Sequence, residues 1–488
     1  MIKQEYKEAD IPTPDRADQV LCVDLDGTLL STDLLWESAL ILLKKKPWAL
    51  GFFPFWLVKG KAHFKRQLSQ RVDLNEANLP FRQDVLKFLY QEKEKGREIV
   101  LVTASEQKAA EAVVEPLSIF SKVVGSNGKL NLRGPNKRQL LEERYGYHGF
   151  DYIGDSSVDL SVWEASSSAL LVEPSNRLVE KVKQMVSIQE VFRTPRSSLF
   201  EFLKALRVYQ WVKNFLIFVP VVTAHKIQDG TILIQVLSAF FAFSFCASGI
   251  YVLNDLLDLQ ADRQHPKKKL RPFAAGKLSI PTGLFSIPLL LISGFLIAFL
   301  FLTPLFTGVL TLYVLASTVY SLYFKRIAIG DIIVLAALYS LRVLAGGVAT
   351  DIPISAWLLA FSMFLFLSLA IMKRYTELNV LQGLGFENAA GRGYLSSDKD
   401  SLQTMGTVSG YLSVLVFALY INSEEVVILY RQPKMLWLIC PLLLYWISRL
   451  WFRAHRGQID DDPVIAIVKD PFSYAVGATV AVLLFMAL

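Results

Sequence analysis

Residues Tyr251–Leu278 read YVLNDLLDLQADRQHPKKKLRPFAAGKL. Asp255, Asp258 and Asp262, with Asn254 beside them, are spaced by three and four, which sets them on one helical face. Bare acids so placed repel one another at the mouth of an apolar helix. Bound Mg²⁺ carrying a polyphosphate removes that repulsion, and Arg263, His265, Lys268 and Arg271 then supply charge to the phosphates. The basic half alone would serve topology or headgroup binding; acids and bases together read as a diphosphate site.

On either side of this stretch lie apolar runs of spanning length. Nine are expected in all, at 208–224, 231–253, 281–302, 306–324, 328–349, 354–372, 406–422, 434–452 and 471–488. The loops between them alternate in charge. Loops 254–280, 325–326 (Lys325, Arg326), 373–405 (Lys373, Arg374, Arg392, Lys399) and 453–470 are basic. Loops 225–230, 303–305, 350–353 and 423–433 are short or carry acids. The positive-inside rule then predicts a multi-pass protein of the inner, cytoplasmic membrane, its N-terminus in the cytoplasm and its C-terminus outside.

Composition agrees with two unlike parts. Only 19% of the 488 residues are charged, where a soluble domain carries about 25%. Residues 1–195 hold 27 Lys+Arg against 27 Asp+Glu, so the net +7 lies wholly in 196–488. With 53% hydrophobic residues the composition excludes disorder and collagen, and Cys22, Cys246 and Cys440 are too scattered for a disulfide framework or a metal knuckle. The polar, Pro-containing start MIKQEYKEADIPTPD is no signal peptide, so residues 1–195 are expected in the cytoplasm. No motif supports nucleic-acid binding.

The first part reads as α/β. Strands are expected at Val20–Val23, Ile99–Val102, Asp151–Ile153 and Ala169–Val172, with helices such as Asp84–Lys95 and Lys137–Tyr145 between them. That alternation predicts a parallel, doubly wound, Rossmann-type sheet with its site at the carboxyl strand ends. FRTPRSS (Phe192–Ser198) is a linker candidate, giving domains 1–195 and 196–488.

VLCVDLDGTLL places Asp24 and Asp26 just past the first strand, close enough to call for a cation such as Mg²⁺. EIVLVTAS ends a strand with the hydroxyls of Thr103 and Ser105. Lys137 can neutralise a phosphate, with Lys129 nearby, and YIGDSSVDL brings Asp155 and Asp159. Nucleophile, acid/base, metal ligands, hydroxyl and ammonium are all present in order. Over residues 18–190 these motifs resemble the haloacid dehalogenase (HAD) phosphatase superfamily. That resemblance makes Asp24 the nucleophile forming an aspartyl-phosphate and Asp26 the general acid/base. Thr103 and Lys137 would hold the phosphoryl group, Asp24, Asp155 and the Asp26 backbone would ligate Mg²⁺, and Asp159 would support them. Residues 32–80 would form a small helical cap. Its stretch WALGFFPFWLV (Trp48–Val58), flanked by Lys44–Lys46, Lys59 and Lys61, reads equally as cap core or as a patch dipping into lipid headgroups.

The NDxxDxxxD pattern at 254–262 resembles the first aspartate-rich motif of the UbiA-type intramembrane prenyltransferases, a nine-helix all-α bundle. Asp262–Pro272, YQWVKN (Tyr209–Asn214), MKRYTEL and DDPVIAIVKD (Asp461–Asp470) are similar to one branch, the decaprenyl-phosphate phosphoribosyltransferases. The second motif departs from other members, because GDIIVLAALYSLRVLAGG offers only Asp331, followed by Arg342. The resemblance implies attack by a polyprenyl phosphate on phosphoribosyl pyrophosphate (PRPP), with pyrophosphate leaving on Mg²⁺ held by Asp255, Asp258, Asp262 and Asn254. Lys213, Lys325, Arg326, Arg342, Lys373 and Arg374 are candidate phosphate holders, though Lys325 and Arg326 equally fit a topological role. Together the halves imply a bifunctional enzyme whose phosphatase removes the 5-phosphate that the transferase leaves. The alternatives are prenyl transfer to an aromatic acceptor, or a regulatory HAD-like domain.

Overall fold

The computed structural model describes residues 19–487 except 75–77, 128–129, 194–197, 384–392, 424–425, 427–429 and 460–461. The polar N-terminal stretch, Lys129, most of the expected linker, Arg392 and Asp461 lie outside the described residues. The chain forms two compact units, Met1–Ala205 with Asp255–Leu284, and Leu206–Asn254 with Phe285–Leu488.

The first unit is built on a six-stranded sheet whose described pairings are all parallel. Its strands are β1 (Val20–Val23), β2 (Ile99–Glu106), β3 (Lys122–Ser126), β4 (Phe150–Gly154), β5 (Ser168–Val172) and β6 (Ser187–Phe192), in the order β3-β2-β1-β4-β5-β6. Leu21, Cys22 and Val23 are all buried, because helices cover both faces of a parallel sheet. The four expected strands are present. β3 and β6 escaped the sequence reading because they are edges, where KVVGS and SIQEVF each bury a single residue. The order reverses at β1, so the carboxyl ends of β1, β2 and β4 open a crevice there. Helices Leu34–Lys45, Phe53–Val58 and Lys61–Ser69 make the cap between β1 and β2, and helices Gln83–Glu94 and Pro135–Tyr145 fall where expected.

The second unit is helical. Among the described residues, seven helices are long and apolar enough to cross a membrane: Gly230–Leu257, Ile280–Phe301, Pro304–Leu322, Gly330–Thr350, Ala356–Gly383, Ser396–Ile421 and Pro433–His455. Two pieces, Pro463–Lys469 and Pro471–Ala487, bent by 79°, make an eighth if they form one broken span. The first expected run differs: Val208–Phe218 is a 3₁₀ helix continued by a short α-helix, Val219–Thr223. Among the described residues, length and composition thus show seven or eight of the nine expected spans. The expected loop 373–405 is also shorter, since Lys373 and Arg374 ride on Ala356–Gly383 and Lys399 begins a helix. Gly346 permits a close approach of backbones, as a Cβ there would stand 2.0 Å from the Ile217 carbonyl oxygen.

Candidate active sites

At the β1 carboxyl end the chain turns through Gly27 at φ +79°, and a Cβ there would meet the Asp155 Oδ2 at 2.3 Å. Glycine therefore lets the β1 loop lie against the β4 loop. The Asp24 Oδ1 accepts from Leu25 N at 2.8 Å and stands 3.0 Å from Lys137 Nζ. Lys137, buried on the Pro135–Tyr145 helix, also donates to the Tyr152 hydroxyl at 2.7 Å, which donates to Asp159 Oδ1 at 3.0 Å. The other Asp159 oxygen accepts from the amides of Asp155 and Ser156 and from the Ser156 hydroxyl. Asp159 is thereby a fixed post that orients Lys137 through Tyr152. Tyr152 was missed in the sequence; its only signal is its place two residues before Gly154 on a buried strand.

Asp26 is held differently. Its Oδ1 accepts from Leu34 N at 2.9 Å, the first turn of the cap helix, and its Oδ2 from the Ser105 hydroxyl at 2.6 Å. The Ser105 hydroxyl at the end of β2 thus serves Asp26. Thr103 is buried, and its hydroxyl oxygen accepts from Ser105 N at 3.0 Å. Arg82, also missed, donates to the Gly27 carbonyl at 3.1 Å and pins the loop.

Asp24, Asp155 and Asp159 offer oxygens that all lie within 4.8 Å of one another. Burial pushes Asp155 up to about 8, aided by repulsion from Asp24 and Asp159. Burial likewise raises Asp24 to about 6 against the pull of Lys137, and raises Asp26 to about 6 with help from Asp33. Among the described residues no donor hydrogen-bonds the Asp155 carboxylate. An oxygen-only cluster this short of positive charge suits a hard divalent cation such as Mg²⁺. The carboxylate of Asp26 is not in that cluster.

The aspartate-rich segment begins at Asn254, in the second unit, and continues through the first. Arg271 Nη1 lies 3.1 Å from Asp255 Oδ1 and 2.6 Å from Asp262 Oδ2, so these two acids face one place as their spacing predicted. The helix breaks at Asp258, which caps the short helix Leu259–Gln264 and stands 3.5 Å from Lys44. Burial raises Asp262 above the usual carboxylate range, with Arg271 opposing. His265 Nδ1 accepts from the amides of Lys267 and Lys268, which fixes the basic turn. Arg263 is committed elsewhere: it donates to both oxygens of buried Glu37 at 2.6 and 3.0 Å and to the Asn78 and Ala274 carbonyls.

In the second unit, Lys213 and Lys373 meet at Asp462, 2.5 and 3.5 Å from its Oδ2. Asp462 was quoted within DDPVIAIVKD but not foreseen as a partner. Arg342 is used internally, donating to Asn214 Oδ1 at 2.9 Å and the Tyr313 hydroxyl at 3.0 Å. Asp331 accepts from Arg374 Nε and from the Tyr394 hydroxyl, both at 2.5 Å, in full burial. Lys325 is buried too, at the 3₁₀ turn Phe324–Arg326.

Two sets of residues are therefore on view: a buried carboxylate–lysine centre on a doubly wound sheet, and an acid–base segment entering a helical membrane domain. The chain belongs to the UbiA prenyltransferase family, whose family model matches residues 216–468. Residues 21–164 match the haloacid dehalogenase-like hydrolase family. The protein is thus a multi-pass membrane protein that joins a UbiA-type prenyltransferase part to an N-terminal HAD-like part. An uncharacterized Sinorhizobium fredii protein, y4nM, is 34% identical over 100% of this chain and 94% of its own. Nodulation protein NoeC of Azorhizobium caulinodans is 38% identical over 55% of this chain and 87% of its own. Decaprenyl-phosphate phosphoribosyltransferase of Mycobacterium tuberculosis is 34% identical over 47% of this chain and 76% of its own.

Proposed function

We propose that this chain transfers 5-phosphoribose from PRPP to a decaprenyl-type polyprenyl phosphate, and that its HAD-like domain, about residues 1–195, then removes the 5-phosphate. The observation that carries the transferase reading is the state of Asp331. With both oxygens engaged by Arg374 and Tyr394, it is a buried structural group. That leaves the 254–262 segment as the acidic cluster for a diphosphate leaving group, and it fits similarity to a phosphoribosyltransferase better than prenyl transfer to an aromatic acceptor.

The Asp24, Asp155 and Asp159 cluster fits Mg²⁺, and Asp255, Asp258 and Asp262 offer carboxylate oxygens of the same kind along one segment; such a cation when bound supplies charge neutralisation to the phosphates. In the transferase, Asp255, Asp258 and Asp262, with Asn254, would hold the cation, which would neutralise the pyrophosphate end of PRPP. His265, Lys268 and Arg271 contact its oxygens, and Lys213 and Lys373 hold phosphate at the rim. The lipid phosphate oxygen bonds to the anomeric carbon as the bond to pyrophosphate breaks, so catalysis is mainly positioning and leaving-group stabilisation. In the phosphatase, Asp24 attacks phosphorus while Asp26 gives its proton to the departing ribose oxygen. Asp26 then takes a proton from the water that hydrolyses the aspartyl-phosphate. Lys137 and Thr103 hold the phosphoryl oxygens.

We further propose nine crossings. Support comes from the first unit, which packs Asp255–Leu284 with residues of the chain before Ala205. Those two stretches must share one side of the membrane, and Gly230–Leu257 crosses once between them. On this reading Val208–Thr223 crosses as well. Its 3₁₀ portion rises ~2.0 Å per residue and its α portion ~1.5 Å, giving about 30 Å, the thickness of the hydrocarbon core. The basic loops support a cytoplasmic first unit.

The test supplies PRPP and polyprenyl phosphate to the full chain in proteoliposomes and weighs the lipid product. Wild type yields polyprenylphosphoryl ribose. Asp24→Asn should accumulate the heavier 5-phosphorylated product, and Asp255→Asn should yield neither. An unchanged product from Asp24→Asn refutes the coupled scheme.

A further inference from the structure

Residues Pro47–Val58 (PWALGFFPFWLV) carry no charged side chain, and the structure presents most of them to the outside. The segment is nonetheless well anchored. Ala49 is buried, and Phe53 and Trp56 pack on Phe64 of the Lys61–Ser69 helix with ring centroids at 5.2 and 6.4 Å. Its other side bears Trp48, Leu50, Phe52, Phe55, Leu57 and Val58, with Trp48 66%, Phe55 69% and Val58 88% exposed. Contiguous apolar exposure of this kind marks an interaction surface. At twelve residues it is too short to span a bilayer.

The flanks indicate what covers it. Lys44–Lys46 precede the segment, Lys59 and Lys61 follow it, and no acid lies anywhere from 44 to 61. Lys45, Lys46 and Lys59 are exposed, and Lys46 lies 5.9 Å from the Trp48 ring centroid. Self-association through this face would crowd like charges together, which opposes a second copy as the occupant. Aromatic side chains with lysines at their border match the headgroup zone of an anionic bilayer. The protein already resides in a membrane. We infer that the Trp48–Val58 face of the cap docks on the anionic lipid interface and anchors the HAD-like part there.

The experiment uses the full chain in proteoliposomes, with a bimane label on Phe55→Cys and, as control, on Glu115→Cys, another exposed position outside the cap. The native cysteines are all buried, and the unlabelled-site background is read on the wild type. Vesicles contain phosphatidylcholine alone or with phosphatidylglycerol, plus lipids carrying a nitroxide near the headgroup. In the anionic vesicles the lipid nitroxide should quench the Phe55→Cys label at least twofold more than the control label, and aqueous iodide should quench it at least twofold less. Adding Lys45→Gln, Lys46→Gln and Lys59→Gln should return lipid quenching halfway or more toward the control. Equal iodide quenching at both positions overturns the proposal. So does protection from both quenchers, which would mean a protein face covers the patch. Melting curves matching the wild type confirm that each variant is folded.

Discussion

Arg263 gives two hydrogen bonds to Glu37 and two to carbonyls, and neither charged group is exposed to water. Removing one partner of such a pair strands the other charge in a poorly solvated place. Glu37→Gln should therefore cost about 3–5 kcal/mol, seen as a lower thermal midpoint of the detergent-solubilised chain. Glu37→Gln combined with Arg263→Met should recover much of that loss. Tyr152→Phe is a gentler test. It removes the hydroxyl between Lys137 and Asp159 while keeping the ring, so aryl-phosphate turnover should fall ~10-fold with little change in KM, worth about one hydrogen bond. A Tyr152→Phe enzyme with full turnover would remove Tyr152 from the site. Asp24, Asp26, Asp155 and Asp255 could be read in the sequence because short fixed spacings past a strand or along a helix carry them. Glu37, Tyr152 and Asp462 could not. Each acquires its role from a partner far along the chain, and no local spacing announces that partner.

The loops at the ends of β1 and β4 bring several acids together with one lysine, and this has a consequence for pH. Asp24 and Asp26 lie near 6 and Asp155 near 8, above their values in an unfolded chain. The fold thus favours their protonated forms. Stability from this source is complete below about pH 4 and is lost as pH rises through 6 to 8. In chelator, the melting midpoint of the first unit should fall between pH 5 and pH 8.5. With millimolar Mg²⁺ the fall should shrink or vanish, and the gain on adding Mg²⁺ should grow with pH. A gain independent of pH would show that the cation does not bind these carboxylates. At this scale the buried strands were legible because they read as unbroken apolar runs. β3 and β6 were not, since an edge needs fewer buried residues. The Val208–Phe218 helix was legible as an apolar run but not as a 3₁₀ helix, because composition reports burial and not rise per residue.

The sequence division at 195 and the packing of the molecule differ by residues 196–205 and by Asp255–Leu284, the latter joining the first unit although it follows a membrane helix. On the proposed topology that grouping requires an even number of crossings between the two stretches. If Val208–Thr223 did not cross, Gly230–Leu257 would carry Asp255 and Arg263 to the face opposite Glu37, and their pairing could not form. The loops therefore make opposite predictions for an impermeant thiol reagent applied to intact cells. Asp229→Cys and Asp351→Cys, in the acidic loops, should label from outside. Lys267→Cys and Arg456→Cys, in the basic loops, should label only after the membrane is opened. Glu115→Cys, in the HAD-like part, should behave like Lys267→Cys. External labelling of Glu115→Cys together with Asp229→Cys would place the first unit outside and refute the ninth crossing. That outcome would also separate the phosphatase from the cytoplasmic face on which the aspartate-rich segment is expected to meet PRPP.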